Sequence, residues 1–120
     1  MTKKVLIVDD SAFMRRSLKD VLEKAGYETC GEAETSEEAL RQYARLHPDL
    51  VTMDMVLVGD QGIQAVKGIL AQDCAANVLV VSAMGQQASV VECIRAGAKG
   101  FVVKPFKPQE LLAEVERILR

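Results

Sequence analysis

The chain has 120 residues, with 15 basic and 17 acidic side chains and a formal charge of −2 at pH 7. That near balance, spread along the chain, argues against a nucleic-acid partner, because a duplex-binding domain gains affinity from Lys and Arg neutralising phosphates. Hydrophobic residues make up 49% and aromatic ones only 4%, so one domain over residues 1–120 with an aliphatic core is expected, such as a buried parallel sheet under helices.

No apolar run approaches the roughly 20 residues that cross a bilayer. Met1-Thr2-Lys3-Lys4 is followed by only four apolar residues before Asp9-Asp10, too few for a signal-peptide core. A cytoplasmic protein with no membrane partner is the expectation. The three cysteines, Cys30, Cys74 and Cys93, lack a Cys-x-x-Cys spacing. They imply neither a disulfide framework nor a zinc site and are read as small buried hydrophobes.

In chain order, short aliphatic or β-branched runs begin at Val5, Tyr27, Leu50, Val78 and Gly100, and each precedes a stretch of helical periodicity. Val5-Leu6-Ile7-Val8, Leu50-Val51-Thr52-Met53, Val78-Leu79-Val80-Val81 and Phe101-Val102-Val103 are nearly all apolar. They read as strands covered on both faces, in the middle of a sheet. Tyr27 to Ala33 alternates in polarity and reads as an edge strand.

The helices carry their own punctuation. Leu18, Val21 and Leu22 form an apolar stripe that stops at Lys24-Ala25-Gly26, with Gly past the last turn. Thr35 and Glu38 offer a capping box before Ala39, Leu40 and Tyr43. Ile63, Val66, Ile69 and Leu70 make the third stripe, and Val90, Val91 and Ile94 the fourth. Pro108 opens the fifth helix, carrying Leu111, Leu112, Val115, Ile118 and Leu119. His47, the only histidine, closes the second helix and reads as a contact with its C-terminal dipole rather than a metal ligand.

Five strand-helix units predict an α/β protein: a doubly wound, five-stranded parallel sheet flanked by five helices. A Rossmann-type and a flavodoxin-like strand order both satisfy the pattern, and in either the ligand lies outside the carboxyl ends of the strands where the order reverses. Those ends deliver Asp9-Asp10, Asp54, Ser82-Ala83 and Lys104-Pro105. Singly, each is open to an ordinary role in a helix start, a turn, a cap or a solvated charge. Jointly they fall where this fold places its chemistry. Three converging carboxylates need a cation. Oxygen ligands without His or Cys point to Mg²⁺, Lys104 and Ser82 suit phosphate oxygens, and the implied chemistry is phosphoryl transfer to aspartate.

At these residues the sequence resembles the response-regulator receiver domain, and within it the single-domain chemotaxis regulators, over its whole length. The motifs are Val8-Asp9-Asp10, Asp54 with Gly62 eight residues later, Ser82-Ala83, and Lys104-Pro105-Phe106. Ser82-Ala83-Met84-Gly85-Gln86-Gln87 is similar to chemotaxis members in particular. The resemblance implies the strand order 2-1-3-4-5 and a cis Lys104-Pro105 bond. It implies Asp54 as phosphoacceptor, with Mg²⁺ held by Asp10, Asp9 through water, Asp54 and the Val56 carbonyl. Ser82 is then the switch hydroxyl, Lys104 the phosphoryl-binding cation and Phe101 the aromatic switch. A partner face of helix 4, strand 5 and helix 5 is expected, centred on Gln86, Val90 and Phe101.

The partners so implied are a histidine kinase and a downstream target, such as a flagellar motor switch component or a phosphatase. Self-modification at Asp54 without turnover of an external substrate is expected. Val56 and Met84 stand where receivers orient or block the hydrolytic water, and both are apolar, so slow self-dephosphorylation is expected. One departure is Val58-Gly59-Asp60-Gln61 in place of the family's proline-containing loop, which implies a more mobile loop with an added carboxylate at Asp60. No output domain follows Arg120, so output through surface contacts is expected, unless the chain is a fragment or serves a non-chemotaxis phosphorelay. An FMN-binding flavodoxin-like protein fits less well, because Asp9-Asp10 stand where its phosphate loop belongs. A haloacid-dehalogenase phosphatase needs Asp-x-Asp-x-Thr, which is absent.

Overall fold

The structure, a computed structural model, describes residues 2–57 and 60–120, with Asp60 and Gln61 described by backbone alone. Five strands form the sheet: β1 (Lys4–Val8), β2 (Glu28–Ala33), β3 (Leu50–Asp54), β4 (Val78–Ala83) and β5 (Gly100–Lys104). They pair in parallel in the order β2-β1-β3-β4-β5. The helices are α1 (Ala12–Lys24), α2 (Ser36–Leu46), α3 (Gly62–Gln72), α4 (Gln87–Ala96) and α5 (Pro108–Leu119). A short antiparallel ribbon, Val56–Leu57 with Asp60–Gln61, links β3 to α3.

Alternate residues of each strand face opposite layers. Val5, Ile7, Leu50, Leu79 and Val81 pack against Leu18 and Leu22 of α1 and Leu111 and Val115 of α5. Leu6, Val8, Val51, Met53, Val78 and Val80 pack against α2, α3 and the inner side of α4. Both faces of the central strands are dry, hence their unbroken apolar runs.

The helix ends follow the punctuation in the sequence. Gly26 follows the C-cap of α1 at φ +95°. At α2 the Thr35 hydroxyl accepts the Glu38 N–H at 3.1 Å, but Glu38 reaches back to the Glu34 N–H at 3.0 Å instead of closing a box on Thr35. His47 is the exposed C-cap of α2, at φ +48°, with its N–H donated to the Tyr43 carbonyl.

Several expectations are corrected. β5 is an edge strand, and Phe101 and Val103 point outward, 45% and 37% exposed, because no helix covers that side fully. In α4 only Val90 and Cys93 enter the core, while Val91 and Ile94 lie outside, so the apolar stripe spans two faces. Of the cysteines only Cys93 is buried. Cys74 is exposed, and half-buried Cys30 sits where the β1–β2 register skips a residue.

The outer edge of β5 is covered where the strand begins. Arg117 of α5 donates to the Lys99 carbonyl at 2.8 Å and pairs with Glu114, also at 2.8 Å. A Cβ on Gly100 would come within 2.6 Å of the Arg117 guanidinium and 3.0 Å of the Glu114 carboxylate.

Candidate functional site

Strand order decides which groups meet. β1, β3, β4 and β5 run parallel and side by side, so the residues that end them share one edge of the sheet. Asp9 follows β1 and is almost wholly buried. Its N–H bonds the Ala33 carbonyl of β2 at 3.0 Å, and its Oδ1 accepts the Ser11 N–H at 2.9 Å. Asp54, the last residue of β3, is also buried, whereas Asp10 is exposed. One carboxylate oxygen from each of the three lies within 4.8 Å of the others.

Lys104 ends β5 and spans the cluster. Its Nζ stands 3.4 Å from Asp9 Oδ2 and 3.4 Å from Asp54 Oδ1. Burial pushes the Asp54 carboxyl above the ordinary range, the Asp9 charge pushes it further, and Lys104 opposes both. A single ammonium facing three carboxylates leaves an excess of negative charge that a hard divalent cation fits, and every donor is oxygen.

The loops hold this floor in place. Gly62 opens α3 by donating its N–H to the Met55 carbonyl at 2.7 Å, and a Cβ there would fall 2.1 Å from the Asp54 carbonyl oxygen. Only glycine lets α3 start against the strand that carries Asp54. After β4, Gly85 turns the chain at φ +91°, and the Gln86 side chain reaches back to accept the Ala83 N–H at 2.7 Å. Gln86, expected at a partner face, is thus engaged with its own loop. The Lys104-Pro105 peptide is cis.

Ser82 is buried one residue before the end of β4 and pairs with Val103. Beside it opens a groove of about 640 Å³ lined mainly by Met84, Val91, Ile94, Phe101 and Val103. Val90 lies buried beneath this groove, so the exposed side of α4 is offered by Val91 and Ile94 instead. Val56 sits in the ribbon after β3, half exposed, and Met84 is 80% exposed. Phe13, 81% exposed in the first turn of α1, joins this apolar set at the site end. In the sequence its one signal is an aromatic residue outside the Leu18-Val21-Leu22 stripe. The expectation for Val58, Gly59 and the Asp60 side chain lies outside the described residues.

Residues 5–116 match the response regulator receiver domain. The chain belongs to that family. It is 52% identical over 118 residues to the chemotaxis protein CheY of Thermotoga maritima, covering 98% of each chain. It is 45% identical to CheY of Bacillus subtilis, covering 99% of each. Among solved structures it resembles CheY in the CheX-CheY-BeF3-Mg²⁺ complex of Borrelia burgdorferi, with a TM-score of 0.93, 32% identity, and coverage of 98% of this chain and 90% of that one. This receiver is therefore closely related to CheY, and the strand order that the motifs implied is the one observed.

Proposed function

We propose that this receiver is a phosphorylation-activated switch of a two-component system of the chemotaxis type, working in the cytoplasm between a histidine kinase and a target protein. The carrying observation is the Lys104 ammonium set 3.4 Å from both Asp9 and Asp54 inside a cluster of three carboxylates. Asp9, Asp10 and Asp54, with the Val56 main-chain carbonyl, would hold Mg²⁺, which when bound offsets the crowded negative charge and polarises phosphoryl oxygens. The similarity to a CheY found with BeF3 and Mg²⁺ supports this reading.

The chain's own groups then divide the work. An Asp54 carboxylate oxygen attacks phosphorus, forming an O–P bond as the donor's bond to phosphorus breaks. Burial leaves that carboxylate poorly solvated and the Asp9 charge makes it more basic, both of which favour it as a nucleophile. Lys104 exchanges its contact with Asp54 for a phosphoryl oxygen, and the buried Ser82 hydroxyl donates to another. Those shifts at the ends of β4 and β5 bias the groove bordered by Phe101, Val91, Ile94 and Val103, and a target that binds one arrangement better pulls the population toward it. The protein modifies itself and turns over no external substrate.

Intact-mass spectrometry after incubation with acetyl phosphate tests the assignment. Wild type should gain one phosphoryl group with Mg²⁺ and none without it, and Asp54→Ala should gain none. A full adduct in Asp54→Ala sinks the reading.

A further inference from the structure

We propose that Arg15 is the positioning residue of the cation site: by clamping the Asp9–Asp10 peptide from behind, it aims Asp10 and sets the affinity for Mg²⁺. The inference rests on reading Asp9, Asp10 and Asp54 as a cation site.

Arg15 lies in the second turn of α1, yet its side chain is only 12% exposed. Its guanidinium makes three contacts on two segments. Nη1 donates to the Asp9 carbonyl at 2.7 Å, Nε to Glu32 at the end of β2 at 2.8 Å, and Nη2 to Glu34 at 3.3 Å. The Asp9 carbonyl belongs to the peptide that joins Asp9 to Asp10. The preceding peptide is held as well, by the Asp9 N–H on the Ala33 carbonyl at 3.0 Å. With both peptides fixed, the chain at Asp9 cannot rotate. Asp10 is exposed, so the direction of its carboxylate is set by that backbone rather than by packing. A planar fork with donors on several sides can tie three acceptors at once, and an ammonium cannot.

Charge and geometry predict opposite signs here, which makes the inference decidable. Viewed only as a charge, Arg15 repels a divalent cation, so removing it should tighten Mg²⁺ binding. Viewed as a clamp, its removal lets the Asp9–Asp10 peptide swing and should weaken binding. Groups that orient metal ligands are worth about 10–100-fold in affinity, and a contact made through the backbone belongs at the lower end. Arg15→Lys keeps the charge and loses the fork, so it separates the two views again.

The experiment is a titration of the full chain with MgCl₂, followed by the amide signals of Asp10 and Ser11 and by calorimetry, with melting of the Mg²⁺-free protein recorded alongside. Arg15→Gln should bind Mg²⁺ about tenfold more weakly than wild type, and Arg15→Lys should also weaken it, by less. Tighter or unchanged binding in Arg15→Gln, or wild-type affinity in Arg15→Lys, overturns the inference even if melting falls, since lost stability alone marks a structural role. Should Arg15→Gln not fold, Arg15→Lys decides alone. A wild type that takes up no Mg²⁺ overturns the cation-site reading and this inference with it.

Discussion

β1 and β5 are nearly the same strand on paper and opposite strands in the molecule. Val5, Leu6, Ile7 and Val8 of β1 are between 0% and 1% exposed, held between β2 and β3 with helices on both faces. In β5 only Gly100 and Val102 are buried, and Phe101 and Val103 stand in solvent beside Val91 and Ile94 of α4. Apolar side chains thus serve two ends. In β1 they supply the transfer free energy that holds the sheet together, and in β5 they leave an unfilled apolar face at the end where phosphorylation is proposed to act. Val56 and Met84 extend the second use to the rim of the site itself.

The comparison can be broken most directly by truncation. Leu6→Ala leaves a cavity in a fully buried layer and should cost about 2–5 kcal/mol in denaturant unfolding. Phe101→Ala and Val103→Ala should each cost below about 1 kcal/mol, since exposed groups contribute little, while target binding falls. Equal losses at Leu6 and Phe101 would erase the distinction. The next effect concerns the rim. Val56→Asn and Met84→Glu each place a hydrogen-bonding group where water must align, and each should speed loss of the phosphoryl group by roughly 10-fold, if one oriented bond contributes about 1.4 kcal/mol. Unchanged phosphate release in both would show that the rim does not gate water.

The smallest effect lies beneath that rim, at Asp54. Its carboxyl is raised by burial and by Asp9, so the stability linked to it is fully present below its unfolded pKa and is lost as the pH rises through the raised folded value. Without Mg²⁺, Asp54→Asn should therefore melt above wild type at neutral pH, with the gap closing on acidification toward about 4. A gap that stays constant with pH would mean that the carboxylate is not disfavoured in the fold.

The strand-helix rhythm and the floor of the site were legible in the sequence because both depend on local pattern. Asp9, Asp54 and Lys104 stand at the ends of apolar runs, and the fold brings such ends together. What escaped depends on packing between elements distant in sequence. Val90, Val91 and Ile94 form one stripe by spacing, and nothing within α4 says which side the sheet will cover. Phe101 and Val103 read as core because an apolar strand looks the same at the edge as in the middle. Arg15 gave no motif, since its partners Glu32 and Glu34 are 17 and 19 residues away and meet it only when β2 lies beside β1.

The cover at the start of β5 restricts how anything can attach there. With Arg117 occupying the Lys99 carbonyl and Glu114 against Gly100, the main chain at the start of β5 is not free to receive an incoming strand. Sheet extension is therefore hindered where this apolar border begins. A partner that reads this face must do so with side chains, which can be released as readily as they are engaged. For the switch proposed above, main-chain cover at the start of the border beside an open side-chain face keeps recognition reversible.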